Sequence, residues 1–325
     1  MKGIIIKSTG SYTPKNIISN ELLGKIVNTS DEWITSRTGI KERKISDGEN
    51  TSDMAIKSCE KTLESCNMDP REIDLIVLAT CTPDMFIPST ACIVQKALGC
   101  INAVAFDISA ACTGFIFALD TAKALMKSNN YKNALVIGAE TLSKIIDWKD
   151  RNTCVLFGDG AGSVLLSESD EKGVLSSFCK SDPTKYECLT SYSLDIKNPF
   201  MDDYIENDKH LKMDGKEVFK FATTTIVKTI NELLKKENLN IEDIDYIVPH
   251  QANIRIIEHS AKKLNISKDK FYTNLENYGN TSAASIPIAL DELNSKNILK
   301  KGNRIILVGF GGGLTYGATL INWSI

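Results

Sequence analysis

A long-range repeat constrains this chain more than any single motif. Ile73-Asp74-Leu75-Ile76-Val77 returns as Ile244-Asp245-Tyr246-Ile247-Val248, and Ala118-Leu119-Asp120 returns as Ala289-Leu290-Asp291, both displaced by 171 positions. Val136-Ile137-Gly138 matches Leu307-Val308-Gly309 in the same register, and Lys2-Gly3-Ile4 resembles Lys172-Gly173-Val174 at a displacement of 170. A single register over most of the chain describes two related halves, about 1–171 and 172–325. Buried runs at Leu75–Ala79, Ala134–Ile137, Val155–Phe157, Ser163–Leu166, Tyr246–Val248 and Ile305–Val308 read as core strands. Amphipathic patterns predict helices over 53–67, 112–127, 216–237, 252–264 and 283–294. The expected class is α/β, with helices layered on mixed sheets. Residues 182–212 lack periodicity and read as an excursion that borders a site.

Composition removes several function classes. The 325 residues are 42% hydrophobic and 24% charged, enough to bury a large core. Net charge is −3, so no global basic field favours nucleic acid. No apolar run approaches the roughly 18 residues of a membrane span, and no secretory leader is evident, so a cytoplasmic protein is expected. Nine cysteines without a C-x-x-C pair, and three histidines without metal-ligand spacing, read as free thiols and no metal site. No phosphate-binding G-x-x-x-x-G-K-[ST] or G-x-S-x-G motif occurs, and Gly158-Asp-Gly160-Ala-Gly162 runs into a strand, not the helix a dinucleotide site requires.

Four segments carry candidate chemistry. In Phe106–Leu119 an extended run ends in small residues and a helix begins at or near Cys112. A thiol there meets unpaired N–H groups and the positive end of the helix dipole, which favour thiolate, although a core cysteine gives the same pattern. In Tyr246–Asn253 a strand ends at Pro249 and His250 follows, the place where α/β folds hold ligands. His210 and His259 lie among charged residues and read as solvated. Asn277–Ser285 is a polar loop whose Asn280 falls, in repeat register, beside the turn that carries Cys112. Gly309–Gly313 follows a strand and allows close backbone approach to a ligand.

These segments resemble the thiolase-fold condensing enzymes. DISAACTGF around Cys112, PHQAN at 249–253, NYGNTSAAS at 277–285 and GFGGG at 309–313 are similar to β-ketoacyl-acyl carrier protein synthase III. TSDEWITSRTGIKER at 29–43 and FGDGAG at 157–162 agree with that subgroup. The resemblance implies a thiolase-like fold of two pseudo-twofold halves, and Cys112 as a nucleophile acylated by an acyl-CoA primer. It implies that the N–H groups of Cys112 and Gly312 hold the oxyanion. It also implies that His250 and Asn280 stabilise the enolate formed as malonyl-acyl carrier protein loses CO₂. Trp33 and Arg151 match residues that sandwich the CoA adenine, Arg37 lies near its phosphates, and Phe219, Asn253 and Phe310 match pantetheine contacts. Ile87 matches an acyl-pocket wall. Gln251, Ala252, Asn253, Ile254 and Arg255, with Lys220, Lys262 and Lys263, match the docking surface for an acidic carrier protein. The resemblance implies a homodimer and no cofactor apart from the thioester substrates. No carboxylate is expected in the pocket, where it would repel thiolate and enolate. The alternatives are a related acyltransferase or polyketide or quinolone starter synthase, a cysteine hydrolase using Cys112 and His250, and a non-catalytic acyl-CoA-binding protein.

Overall fold

The computed structural model describes residues 2–325. In the first half the chain runs β1 (Gly3–Tyr12), α1 (Asp31–Thr38), α2 (Thr51–Glu64), β2 (Leu75–Ala79), α3 (Thr90–Leu98), β3 (Val104–Ile108), α4 (Gly114–Asn129), β4 (Asn133–Glu140) and β5 (Gly160–Ser169). The second half adds β6 (Val174–Ser181), α5 (Gly215–Glu237), β7 (Tyr246–Pro249), α6 (Ile254–Leu264), α7 (Ser285–Ser295), β8 (Arg304–Gly311) and β9 (Thr315–Asn322). Shorter helical turns and two small hairpin ladders complete the architecture.

The repeat is visible in the backbone. The first sheet has the order β1-β5-β4-β2-β3, and the second has β7-β8-β9-β6, the same order without a fifth strand. Starts of β1 and β6, of β2 and β7, of β4 and β8, and of α4 and α7 are each 171 residues apart. The missing strand survives as a single parallel bridge, Ile247 to Phe271. The 170 displacement read at Gly3 and Gly173 is one residue short, since β6 begins at Val174.

Layering follows from where apolar surface is available. All five residues of β2 are buried, because helices cover both faces of its sheet, as expected for parallel strands with continuous apolar runs. Phe115, Leu119 and Ala122 of α4 share one core with Ile286, Ala289 and Leu293 of α7, and with Val77 and Val136 of the first sheet and Leu307 of the second. These two helices form the central layer between the sheets. Met54, Cys59 and Leu63 of α2 pack outside the first sheet, and Ile226, Ile230, Ile257 and Ala261 of α5 and α6 outside the second. Helix starts are fixed locally: Asn50 and Asp53 form a reciprocal capping box on α2. Ser30 caps α1, and Asn253 caps α6.

Two expectations change. Val155–Phe157 is a turn, not a strand; its β character is one bridge from Phe157 to Asn280. The apolar run is explained by burial beneath the turn, which periodicity cannot distinguish from a strand. The excursion at 182–212 holds a helical turn and a two-residue ladder pairing Leu189–Thr190 with Lys212–Met213, and is otherwise irregular. Among the described residues, no helix is long and apolar enough to cross a membrane.

Candidate active site

Cys112 sits in a helical turn, Ala111–Thr113, immediately before α4. Ala111 takes a positive φ of 47°, and Ser282, 171 residues on, takes a φ of 48° in the matching turn before α7. Both halves therefore use the same left-handed residue to swing a strand-to-helix connection toward the junction of the sheets. Gly311 makes the approach possible: a Cβ there would lie 2.7 Å from the Cys112 nitrogen. Gly312 faces Ala111 and Leu189 instead, and lines the same cavity as Cys112.

His250 follows β7, with its backbone N–H donated to Val308 O at 2.8 Å. Its Nδ1 is 2.7 Å from the Ser285 hydroxyl at the start of α7, and its ring packs edge-to-face on Phe310 at 5.3 Å. That bond leaves Nε2 as the nitrogen available to a ligand. Asn280 accepts the Ser282 N–H at 2.9 Å through Oδ1, which leaves its amide Nδ2 to donate. Cys112, His250 and Asn280 line one cavity of about 130 Å³, with Phe219, Asn253 and Phe310.

This small cavity joins two larger spaces. Outward it shares Leu156, Met213, Gly215 and Asn253 with a cavity of about 240 Å³ that reaches Trp33 and Arg37. On the far side of Cys112 lies a mostly apolar cavity of about 620 Å³, whose walls include Phe86, Leu142, Phe157 and Leu189. The 182–212 excursion supplies Leu189–Ser193 and Leu211 to that wall. A narrow path thus leads from a basic, aromatic mouth past the thiol to a wide chamber.

Burial controls the titration of the site. It pushes the Cys112 thiol up to about 12, against the opposing bond from Ser282, so the thiolate expected from the helix start is not the resting form. It pushes the His250 imidazole down to about 3, so the ring is neutral near pH 7. The pocket is not free of carboxylates as expected: Asp84 lines the wide chamber, and a second carboxylate, Glu140, is bonded to the lining Ser282 from behind. Glu140, fully buried at the end of β4, is 3.0 Å from the Ser282 hydroxyl, and its charge further raises the Cys112 thiol. The site tolerates this charge because four donors surround it, a feature no local sequence pattern revealed.

Other expected positions divide into three groups. The Arg37 and Arg151 guanidiniums lie 4.5 and 5.0 Å from the centre of the Trp33 ring. With Arg151 stacked this closely, no space separates it from Trp33 for an adenine, so Arg151 must move before a ring can enter; its Nη1 donates to Asn28 O at 2.9 Å. Ile87 stands 87% exposed and does not line the thiol's chamber, which corrects its placement as a wall of this chain's own pocket. The loop carrying it points Met85, Phe86 and Ile87 outward, and only Met85 and Phe86 reach the cavity.

Gln251, three residues before α6, is buried, so its side chain is turned into the interior and not toward a docking partner. Its Nε2 donates to Pro249 O at 2.8 Å and Tyr272 O at 3.1 Å, and its Oε1 accepts from the Asn274 N–H. Ile254 packs beside Gly39 at the end of α1, and Ala252 lines the small cavity. Asn253 donates to Arg37 O at 3.0 Å, and Arg255 to Ser36 O at 2.7 Å, so both tie α6 to α1. Lys220, Lys262 and Lys263 are exposed. Ser282, Ser285 and Glu140 were missed as site residues. The two serines lie within NYGNTSAAS at 277–285, and Glu140 occupies the repeat position of Gly311, the strongest available signal.

Comparison with known proteins decides the family. Residues 106–183 match the model of 3-oxoacyl-[acyl-carrier-protein] synthase III, and residues 234–323 match the model of its C-terminal region. A β-ketoacyl-[acyl-carrier-protein] synthase III of Clostridium novyi (strain NT) is 58% identical over 324 residues, covering 100% of both chains. The chain belongs to the β-ketoacyl-[acyl-carrier-protein] synthase III family. A second member, from Clostridium acetobutylicum, is 54% identical over 324 residues with the same full coverage. The crystal structure of the Aquifex aeolicus 3-oxoacyl-[acyl-carrier-protein] synthase III superposes with a TM-score of 0.93 at 46% identity, covering 99% of this chain and 100% of that one. The fold is therefore thiolase-like, and this synthase III family member is a condensing acyltransferase. The path past Cys112 has the shape that such chemistry requires.

Proposed function

We propose that the chain starts fatty acid synthesis by condensing an acyl-CoA primer with malonyl-acyl carrier protein. The observation that carries this reading is the position of Cys112, between a narrow path lined by His250 and Asn280 and a wide apolar chamber. The CoA nucleotide docks at Trp33, Arg37 and Arg151, and its pantetheine arm runs past Asn253, Phe219 and Phe310. The primer's acyl chain enters the chamber. Cys112 attacks the thioester, the N–H groups of Cys112 and Gly312 hold the oxyanion, and CoA leaves. Malonyl-acyl carrier protein then occupies the same path. His250, through Nε2, and Asn280, through Nδ2, donate to its thioester carbonyl as CO₂ departs. The enolate carbon attacks acyl-Cys112, and the β-ketoacyl product leaves on the carrier. A neutral imidazole suits this task, because it donates without placing a positive charge that would need to be desolvated.

The same reading covers partners. Lys220, Lys262 and Lys263 form the basic rim met by an acidic carrier protein. A second copy covers the exposed apolar loop Met85–Ile87 and the edge strand β3, whose Val104 is half exposed, giving a homodimer. In that assembly Ile87 faces the partner copy, and Leu142, Phe157 and Leu189 set primer size within the chain. We place the enzyme in the cytoplasm, with CoA thioesters and the malonyl carrier as substrates and no further cofactor.

The test is mass spectrometry of the enzyme after incubation with a mixed pool of acyl-CoA primers. The expected result is one acyl adduct, on the peptide containing Cys112, with the chain lengths that fit the chamber. Adducts on another cysteine, or acid released without an adduct and without need for malonyl thioester, would remove the condensing role and favour a hydrolase.

A further inference from the structure

Arg43 is a buried cation that no step above uses. It stands opposite Ile18 in the short ladder that pairs Glu42–Lys44 with Ile17–Ser19, and it has no exposed surface. None of the ion pairs among the described residues includes it, and the neighbouring Glu42 is taken by Lys44. Its Nη1 donates to Ile18 O at 2.9 Å, its Nη2 donates to Val155 O at 2.8 Å, and its Nε is buried without a partner. Burial brings the group down only to about 10, so it stays charged near pH 7. A cation held in the interior without a counter-ion is unfavourable, and a neutral side chain would fill the space more easily. What the guanidinium adds is a rigid planar fork that reaches two backbone carbonyls far apart in sequence.

The carbonyl of Val155 belongs to the turn that walls the substrate path. Val155 lines the outer cavity, Leu156 the outer and the small inner one, and Phe157 the small one and the chamber. The same turn clamps Asn280. The Asn280 N–H donates to Leu156 O at 2.8 Å, and the Gly158 N–H donates to Asn280 O at 3.0 Å. Two glycines let the pieces close on Arg43. A Cβ on Gly158 would lie 3.2 Å from the Arg43 Cβ and collide with Tyr278 O. A Cβ on Gly279 would lie 3.2 Å from the same atom and 2.8 Å from Leu156 O. Arg43, the turn and the Asn280 loop thus form one close-packed unit. The other two site residues are anchored elsewhere: Cys112 stands against Gly311, and His250 is held by Val308 O and the Ser285 hydroxyl.

We infer that Arg43 is a positioning residue for the decarboxylating half of the reaction: by holding Val155 O it fixes the turn that sets where Asn280 presents its amide. This rests on the proposed role of Asn280 as a donor to the malonyl thioester. The Asn280 Oδ1 is already bound to the Ser282 N–H of its own loop, so the side chain is fixed relative to that loop. The place of the loop against the turn then decides how far Nδ2 stands from Nε2 of His250. A donor stabilises an oxyanion only within about 2.7–3.1 Å of it. A slip of about 1 Å in such a group can lower the rate about 10²-fold. Of the three site residues only Asn280 is bonded to this turn, so the loss falls on decarboxylation and not on the attack by Cys112.

The test uses the full chain with Arg43→Lys and Arg43→Met, each alone and combined with Asn280→Ala. Lysine keeps the charge, but one ammonium cannot span both carbonyls; methionine fills the space without a buried ion. Melting curves show which variants are folded at the assay temperature. In these, the maximal rate of malonyl-carrier decarboxylation is expected to fall about 10–100-fold, short of the loss from removing a donor outright. Single-turnover acylation of Cys112 at saturating acetyl-CoA should keep its rate, with any change confined to the acetyl-CoA concentration required. In the Asn280→Ala background neither substitution should slow decarboxylation further, because the amide being positioned is gone. Decarboxylation at the wild-type rate in a folded single variant would overturn the inference. So would equal loss of both half-reactions, a loss that multiplies that of Asn280→Ala, or failure of both variants to fold, each the mark of a general structural role. Asn280→Ala alone decarboxylating at the wild-type rate would instead remove the role of Asn280 itself.

Discussion

β4 and β8 hold matching places in the two sheets, yet their last residues differ: Glu140 in one and Gly311 in the other. Each strand end meets the opposite half's turn. Gly311 brings bare backbone against the Cys112 nitrogen, and Glu140 sends a carboxylate to the Ser282 hydroxyl. The turns themselves match, with Ala111 and Ser282 at nearly equal positive φ. Their side chains do not match: the position of Cys112 is taken by Ala283 in the second half. One scaffold thus appears twice, and in the proposed reaction each copy carries a different half of the chemistry. The first half would supply the nucleophile Cys112, and the second the donors His250 and Asn280. The insertions are equally one-sided. Residues 141–159 separate β4 from β5, while residues 312–314 separate β8 from β9, and the longer link carries Leu142 and Phe157 to the chamber wall.

The comparison breaks most severely at Gly311. Gly311→Ala places a methyl against the Cys112 backbone, where no flexible side chain can yield. Overpacking of this kind costs about 1–3 kcal/mol, and the nucleophile itself must shift. We expect a lowered melting temperature and Cys112 acylation reduced by about tenfold or more, with decarboxylation less affected. Acylation at the wild-type rate would mean that the close approach is incidental. The smallest effect is expected on the rim. Lys262→Glu with Lys263→Glu should slow use of malonyl-acyl carrier protein severalfold at low salt, with the defect fading as salt screens it, and should spare acylation by acyl-CoA. Arg255→Glu is a less clean probe, because Arg255 also holds Ser36 O of α1. Steady-state rates at two ionic strengths decide the point, and a salt-independent defect would place docking elsewhere.

The parts legible in the sequence were those set by local pattern and by the repeat. The core strands at 75–79 and 305–308, the helices expected over 216–237 and 283–294 and found at 215–237 and 285–295, and the junction that brings Cys112 toward Asn280 all followed from apolar spacing and one register. What stayed hidden depends on tertiary packing. Val155–Phe157 looks like a strand because burial alone makes it apolar. Gln251 looks like a surface residue at a helix start, but its amide satisfies three backbone groups in the interior. The Cys112 thiol was expected to favour ionisation from its helix position; burial outweighs the dipole, and burial cannot be read from a local motif. Ile87 was assigned by resemblance to a pocket wall, and the exposed loop around it shows that within one chain it covers nothing.

The central claim is that the halves carry separable half-reactions, and one paired measurement tests it. Acylation by acyl-CoA and decarboxylation of malonyl-acyl carrier protein should be followed in Cys112→Ala and in His250→Ala. Cys112→Ala is expected to lose acylation entirely and keep measurable decarboxylation. His250→Ala is expected to acylate and to decarboxylate about 10²–10³-fold more slowly, the usual cost of one lost oxyanion donor. A His250→Ala enzyme that cannot be acylated yet decarboxylates normally would contradict the account.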